Sequence, residues 1–472
     1  MCNISILITM NTFKRISLIT LASLSLCASA KVVEDTPKYV PTEAIKKSQQ
    51  EFSDAKLGIF IHWGIYSMYG RGEWFMTNEN VDRLEYAKQA DAFYPHRFDA
   101  NEWAKVFKEA GAKYICFTSR HHDGFSMWDT KQSDYNIMNT PYGKDVLKSL
   151  AKACDKNDLK LHLYYSHIDW TREDYPAGRT GRGTGKNPAN ENWGQYYKFM
   201  NDQLTELLTN YGPIGAIWFD GWWDHDEDSV PFDWHLQEQY ELIHRLQPAC
   251  LVGNNHHGAP MEGEDIQIFE RDLPGEMTTG FAKSVAEVSR LPLETCETMN
   301  GMWGYKVTDN NYKSTADIIR LLIKTSGKGA NLLMNIGPQP NGELPAVALQ
   351  RLKELGEWTT AYGETIYGTD AGDVKPEPWG VTTKRTVMPA RIPATPPRRT
   401  ASFLCMYLLQ SALCLAMAET LCFICLWTGR LSLSPNSSEA QKWNTARRQM
   451  VLLWCFHARS KRLIMCWLYN DF

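Results

Sequence analysis

The sequence lacks a net excess of charge of either sign. Its 50 Lys and Arg residues nearly cancel its 54 Asp and Glu residues, and no basic stripe occurs in the first 380 residues. Proteins that bind nucleic acids gather Lys and Arg on one face to neutralise phosphates. We therefore expect no nucleic acid partner, and the composition is typical of a soluble enzyme.

Paired cysteines are also missing from the main part of the chain. Cys116, Cys154, Cys250 and Cys296 are far apart, and each lies in or near an apolar segment. Metal sites built from cysteine use close pairs such as CxxC, and disulfide scaffolds use a regular framework. The pattern predicts buried free thiols, with neither a disulfide framework nor a cysteine metal site.

The apolar run near the amino terminus is too short to span a bilayer. It covers residues 16–26, follows Lys14 and Arg15, and precedes Ala28-Ser29-Ala30, which has the form of a cleavage site. A charged start, a short apolar run and small residues are typical of a secretory signal. The sequence predicts a signal peptide over residues 1–30 and an exported protein, periplasmic or extracellular.

The end of the chain differs in character from the rest. After about residue 385 a segment rich in Pro and Arg leads into an apolar stretch, 401–427, in which acids nearly vanish. This stretch is long enough to cross a membrane, but Gln410 and Glu419 lie inside it. An anchor and an out-of-frame translation both fit residues 381–472, and the composition favours the second. A membrane partner is not expected.

Between these ends, short apolar runs alternate with amphipathic helical patterns. Runs typical of strands are LGIFIHW, KYICFTSR, LKLHLYYS, IGAIWFD, CLVGNN, DIQIFE and NLLMNIG, and stretches such as ANEWAKVFKEAG and KDVLKSLAKACDKND have helical spacing. Such alternation predicts parallel strands joined by crossover helices. We expect an α/β fold, a (β/α)8-like TIM barrel over residues 31–380 that carries the catalytic residues.

Polar side chains stand where several of these strands end. Asp220 closes IGAIWFD, and His62, His121, His122 and Tyr164 lie at or near the ends of other strands. Barrel enzymes place their chemistry on the loops that follow the strands. Neutral hydrogen-bonding groups around one carboxylate suit a polyhydroxylated ligand, although an Asp before Gly is also a common turn residue.

A metal site is a second interpretation of the same residues. His62, His121, His122 and Asp220 are all zinc ligand types, as found in metal-dependent barrel hydrolases. Adjacent histidines at a strand end rarely face one ion, and no HxH pair follows the first strand. The sequence therefore favours a site without metal.

Acid and base chemistry on a glycosidic bond requires a second carboxylate. Glu264 opens the run EDIQIFE, Glu270 closes it, and Glu294 lies in LPLETCE; Asp224 and Asp226 follow soon after Asp220. Strand patterns alone leave the choice among these acids open.

Six motifs in this order, GIFIHWG, EWF, RHHDGF, YYS, WFDG and NLLMNIGPQPNGELP, resemble the α-L-fucosidases of glycoside hydrolase family 29. The resemblance covers about residues 50 to 380. It implies a (β/α) barrel followed by a β-sandwich, which the tail does not resemble, and removal of terminal α-L-fucose with retention of configuration. It implies Asp220 as the nucleophile, and Glu264 as the acid/base ahead of Glu270 and Glu294.

The resemblance also implies a set of sugar contacts and no cofactor or metal. Trp303 is expected to cover the C5 methyl group of fucose. One departure is the run at 253–257, Gly-Asn-Asn-His-His, where some members have an Arg in a sequence like NDR. The implied sugar-binding residues are His62, Glu73, Trp74, His121, His122, Tyr164 and Trp303.

The sequence thus predicts a retaining exo-α-L-fucosidase acting on a fucosylated oligosaccharide or a glycoprotein glycan. Two alternatives stay open: a fucose-binding protein without turnover, and a metal-dependent hydrolase on the same barrel. The oligomeric state and the fucosyl linkage are not indicated.

Overall fold

The structure, a computed structural model, describes residues 39–280, 284–377 and 380–385, and the backbone of two strands at 450–457 and 462–469. The predicted signal peptide and the apolar stretch 401–427 lie outside the described residues. Within the described part of the chain, no helix is long and apolar enough to cross a membrane.

Eight parallel strands form the central sheet in the order β5-β4-β3-β2-β1-β8-β7-β6. One parallel bridge from Gly253 on β5 to Ile266, just before β6, joins the two edges and nearly closes a barrel. The predicted (β/α) barrel is confirmed. The strands are β1 Leu57–Ile61, β2 Tyr114–Arg120, β3 Lys160–Ser166, β4 Ala216–Asp220, β5 Leu251–Asn254, β6 Gln267–Glu270, β7 Leu293–Thr298 and β8 Ala330–Ile336.

Helices cover the outside of this barrel, and side-chain caps fix where several of them begin. Asp99 accepts hydrogen bonds from the first turn of α4, Asp145 from that of α5, and Asn192 from that of α6. The helices are α1 Glu43–Ala55, α2 Phe75–Asn78, α3 Arg83–Ala87, α4 Ala100–Glu109, α5 Val146–Lys156, α6 Trp193–Asn210, α7 Leu236–Leu246, α8 Thr315–Gly327 and α9 Ala346–Tyr362.

Alternate residues of each strand point to opposite sides of the barrel wall. Phe60, Tyr164 and Trp218 belong to the buried cluster inside the barrel, whereas Ile59 and Phe117 belong to the cluster that packs against the helices. Burying each such large apolar side chain stabilises the fold by roughly 1.5–3 kcal/mol. The aromatic interior forms a solid floor under the carboxyl ends of the strands.

Strand β7 is the one barrel strand that the sequence did not predict. Its sequence, LETCET, alternates apolar residues with acids and threonines, and resembles an exposed segment. Five of its six residues are nevertheless buried, because Glu294 points into the barrel and accepts hydrogen bonds there. The hydrogen-bond partners of Glu294 lie on strands that are distant in the chain, so the sequence around β7 does not indicate that this strand is buried.

A second, four-stranded antiparallel sheet has the order β11-β12-β10-β9. Its strands are β9 Asp370–Ala371, β10 Thr382–Lys384, β11 Met450–His457 and β12 Arg462–Tyr469. The backbone of residues 381–472 therefore includes three strands that the sequence did not predict.

Candidate active site

A cavity of about 1050 Å³ opens at the carboxyl ends of the barrel strands. Phe60 and Trp218, which belong to the buried aromatic interior, line its floor. All seven side chains predicted to contact a sugar line this cavity, as do three of the candidate carboxylates, Asp220, Asp226 and Glu270. The seven side chains are His62, Glu73, Trp74, His121, His122, Tyr164 and Trp303.

Asp220 is the last residue of β4, and the chain turns sharply after it. Gly221 has φ 104°, in the left-handed region that favours glycine. A Cβ atom there would stand 2.6 Å from Cγ1 of Ile168, so only glycine fits. The turn leaves the Asp220 carboxylate at the cavity surface instead of continuing the strand.

Four donors hold the Asp220 carboxylate in place. Oδ1 accepts from the backbone N–H of Gly221 at 2.8 Å, from Nε1 of Trp223 at 2.9 Å and from Nδ2 of Asn255 at 3.3 Å. Oδ2 accepts from the hydroxyl of Tyr164 at 3.0 Å. The carboxylate is therefore fixed in one orientation before any ligand binds.

Burial, and then the charge of Glu270, raise the pKa of Asp220 to about 6, against the opposing hydrogen bonds from Trp223 and Tyr164. Burial alone would also raise the pKa of Glu270. The hydrogen bond and charge of His257, the bond from Asn255 and the charge of Arg271 instead bring it below its ordinary value. Because the two carboxyl groups interact, they lose their protons in two steps that belong to the pair and not to either residue alone.

Glu270 is the last residue of β6 and faces Asp220 across the cavity. Its Oε2 accepts from Nδ2 of Asn255 at 2.8 Å and lies 3.0 Å from Nε2 of His257. The same Asn255 nitrogen bonds Asp220 Oδ1, so one amide connects the two carboxylates. Asn255 and His257 lie in the run 253–257, where the sequence departs from the resembling family.

Glu264 is not among the cavity-lining residues. It precedes β6 and is buried, where it accepts hydrogen bonds from the Tyr240 hydroxyl at 3.1 Å and the Met261 N–H at 3.1 Å. Its Oε2 also lies 3.0 Å from Nε2 of His256. These contacts describe a carboxylate that holds the loop between β5 and β6 in shape. The resemblance ranked Glu264 ahead of Glu270 as the acid/base. In the structure Glu270 lines the cavity and Glu264 does not.

Glu294 lies inside the barrel and does not line the cavity. It accepts hydrogen bonds from the Tyr114 hydroxyl at 2.6 Å and from Nε1 of Trp218 at 2.8 Å. Burial raises the pKa of Glu294 to about 7, although both hydrogen bonds oppose this shift. Through Trp218 this carboxyl group positions part of the cavity floor.

Glu294→Gln should remove a pH dependence of stability. The folded pKa of about 7 lies above the unfolded value of about 4.3, so folding takes up a proton between these values. The parent therefore loses roughly 3 kcal/mol of unfolding free energy as pH rises from about 4 to 7. Urea unfolding measures the free energy of unfolding of parent and variant. Over this pH range the value for the variant should rise by this amount relative to that of the parent. Parallel pH curves would contradict it.

Three of the five histidines that line the cavity, His62, His121 and His122, are neutral at physiological pH because they are buried. Burial lowers the pKa of His62 to about 3 and that of His122 to about 3, and it lowers the pKa of His121 well below its ordinary value. His62 donates from Nδ1 to Asn335 Oδ1 at 2.7 Å, which leaves Nε2 as an acceptor. Within the described residues, Nδ1 of His121 has no hydrogen-bond partner. Such groups suit hydroxyl ligands.

Aromatic rings form two walls of the cavity. Trp74 stacks on Trp223 with ring centroids 5.7 Å apart, and Trp303 lies 5.2 Å from the His62 ring. Glu73 anchors the Trp303 wall, because its Oε2 accepts the N–H of Gly304 at 2.7 Å. Flat apolar faces beside neutral polar groups are typical of sugar sites.

Over residues 39–280, 284–377 and 380–385, no group of three or more His, Cys, Asp or Glu side chains is arranged to hold a metal ion. The residues of the metal interpretation, His62, His121, His122 and Asp220, all line the cavity. His62 Nδ1 is already bonded to Asn335, and His122 Nδ1 lies 2.6 Å from Ser166 Oγ.

The four cysteines Cys116, Cys154, Cys250 and Cys296 are free and buried.

Comparison with known proteins decides the family. The family model described as alpha-L-fucosidase matches residues 26–364. The chain belongs to the α-L-fucosidase family. Among curated α-L-fucosidases, the protein of Dictyostelium discoideum is 28% identical over 358 residues, which cover 70% of this chain and 72% of that protein.

Solved α-L-fucosidase structures share the fold. Isoenzyme 1 from Paenibacillus thiaminolyticus superposes with a TM-score of 0.65 at 35% identity, covering 72% of this chain and 82% of that one. An α-L-fucosidase from Bacteroides thetaiotaomicron has a TM-score of 0.62 at 26% identity over 74% and 84% of the two chains. That structure is a trapped covalent intermediate in complex with 2-fluoro-fucosyl fluoride, obtained with a mutant of that protein. The chain is thus an α-L-fucosidase-type glycoside hydrolase.

Three residues around the paired carboxylates of this fucosidase fold were not predicted from the sequence. They are Trp223 and Asn255, which bond Asp220, and His257, which contacts Glu270. Trp223 follows WFDG directly, and the other two lie in the loop after β5. All three residues lie in loops that follow barrel strands, where barrel enzymes place their catalytic residues. Their position after a strand could therefore have indicated them in the sequence.

Proposed function

We propose that this chain is a retaining exo-α-L-fucosidase, in which Asp220 is the nucleophile and Glu270 the general acid and base. The spacing of the two carboxylates carries this proposal. Asp220 Oδ1 and Glu270 Oε2 bond one nitrogen at 3.3 and 2.8 Å, so they lie at most the sum, about 6.1 Å, apart. Retaining glycosidases space their carboxyl groups by about 5–5.5 Å, and inverting ones by about 6.5–9.5 Å.

The reaction proceeds in two displacements at the anomeric carbon. In the first, an oxygen of Asp220 bonds this carbon while its bond to the leaving oxygen breaks, and Glu270 gives that oxygen a proton. In the second, water attacks the same carbon, Glu270 accepts a proton from the water, and the ester bond to Asp220 breaks. Fucose leaves and both carboxyl groups return to their starting state.

The two carboxyl groups of the site interact closely enough to hold a single proton between them. Two buried carboxylates in contact with one amide resist ionising together, so the pair holds one proton over an intermediate pH range. The first displacement requires this proton on Glu270. In the free site the raised pKa of Asp220 and the lowered pKa of Glu270 favour the proton on Asp220, so it passes to Glu270 before the first displacement. The covalent intermediate of the Bacteroides relative supports a two-step route as well.

The remaining cavity residues support a terminal 6-deoxy sugar as the ligand. Neutral His62, His121 and His122 offer hydrogen bonds to hydroxyl groups, and the Trp303 ring offers an apolar surface for the C5 methyl group. The filled barrel interior closes the cavity below, which suits a sugar at the end of a glycan. The proposed substrates are fucosylated oligosaccharides or glycoprotein glycans. Export, and a location in the periplasm or outside the cell, stays a prediction.

Release of 4-nitrophenol from 4-nitrophenyl α-L-fucoside by the full chain tests the proposal. We expect turnover that is unchanged after dialysis against a chelator. Activity that disappears on dialysis and returns with zinc would favour the metal-dependent hydrolase. Calorimetric binding of fucose without release of nitrophenol would favour the binding protein.

A further inference from the structure

We propose that His257 is a positioning residue that acts through Glu270: it orients this carboxylate and, as an imidazolium, favours its ionised form. The inference rests on the proposed function, because it assigns Glu270 the acid and base role. His257 itself need not touch the reacting atoms. Glu270 must be ionised to take a proton from water in the second displacement and protonated in the first, so the charge of His257 favours the second displacement and lowers the pH at which the first one fails.

The geometry of the loop after β5 carries the inference. His257 Nε2 lies 3.0 Å from Glu270 Oε2, and both side chains are largely buried, with 13% and 12% exposure. Asn255, two residues before His257 in this loop, bonds the same oxygen through Nδ2 at 2.8 Å. Two groups from one loop thus fix one oxygen of Glu270.

The backbone at this point is strained in the way that functional residues often are. His257 has φ 62°, in the left-handed region that a residue with a side chain seldom adopts. Arg271, the residue after Glu270, has φ 58°. Such conformations persist where the surroundings impose them. The strain is consistent with an imidazole held against Glu270.

The surrounding charges favour a cationic His257. Burial opposes the charge, but the hydrogen bond to Glu270 and the charges of Glu270, Asp220 and Asp226 outweigh it and raise the pKa of His257. An imidazolium at this distance in turn stabilises an ionised Glu270. The other titratable or charged groups that act on Glu270 or feel its charge are Arg271, His62, Tyr164 and Cys296.

Profiles of kcat/KM against pH for phenyl α-L-fucoside test the inference, because this poor leaving group needs a proton from Glu270. His257→Gln keeps a donor and removes the charge, so the alkaline limb should move up by roughly one to two pH units. His257→Arg keeps a cation and should leave that limb close to the parent's. An unmoved limb in His257→Gln would overturn the inference.

A second substrate separates positioning from a merely structural role. The 2,4-dinitrophenyl fucoside leaves without a proton, so parent and both variants should form the fucosyl enzyme from it with similar kcat/KM. An equal loss on both substrates would show that His257 only supports the fold of the loop, and would overturn the inference. A parent chain that turns over neither fucoside would overturn the proposed function as well.

Discussion

Asp220→Ala should lower kcat on 4-nitrophenyl α-L-fucoside by about 10⁴-fold or more, as loss of a covalent nucleophile does in other enzymes. Four hydrogen bonds hold the Asp220 side chain opposite Glu270. No other carboxylate that lines the cavity occupies the same position and could replace it. Steady-state release of nitrophenol measures the loss. The exposed carboxylate of Asp233 provides a matched control, and Asp233→Ala should retain the parent rate.

Azide separates loss of the nucleophile from loss of the fold. In Asp220→Ala, azide can occupy the space of the missing carboxylate and attack the anomeric carbon from the same side. We expect partial recovery of the rate and β-L-fucosyl azide as the product, since one displacement inverts the configuration. Retention of a tenth or more of the parent activity in Asp220→Ala without azide would show that Asp220 is not the nucleophile.

Glu270→Gln should lower turnover of phenyl α-L-fucoside by about 10²- to 10⁴-fold, the usual contribution of a general acid or base. The amide keeps the shape of the side chain and can still contact Asn255, but it cannot give a proton to the leaving oxygen. Formation of the fucosyl enzyme from 2,4-dinitrophenyl fucoside should change much less. The ratio of the two rates therefore measures acid catalysis directly.

Glu264→Gln is the matched comparison, since Glu264 was the acid expected from resemblance. Its partners Tyr240, His256 and Met261 hold it away from the cavity. We expect a loss of about 1–3 kcal/mol in unfolding free energy, because a buried network loses a charged acceptor, with an unchanged ratio of phenyl to dinitrophenyl rates. A changed ratio in Glu264→Gln, together with an unchanged one in Glu270→Gln, would return the acid/base role to Glu264.

The barrel was predictable from the sequence because its strands are buried on both faces and carry apolar runs. Strand β7 was not, because the partners of Glu294 are Tyr114 on β2 and Trp218 on β4, far away in the chain. The strands β11 and β12 lie in a region whose composition gave no strand pattern.

The cavity residues were predictable in kind, since strand ends and ordered motifs locate Asp220, His62 and the paired histidines. The choice of second carboxylate was harder, because it rested on the resemblance, whose spacing from the nucleophile fits Glu264 and Glu270 alike. Glu264 precedes β6 and Glu270 ends it, and the rule that barrel chemistry follows the strands favours Glu270. The bridging role of Asn255 depends on two loops meeting, which no local pattern encodes.

The most direct test of a nucleophilic Asp220 is to trap its ester. The full chain is incubated with 2-fluoro-fucosyl fluoride, the reagent used with the Bacteroides relative, and its peptides are analysed by mass spectrometry. We predict one fluorofucosyl group, attached to Asp220 in the peptide that contains IWFDG. A fluorofucosyl group on any other residue, or an active enzyme that this reagent neither labels nor inactivates, would contradict the proposed mechanism.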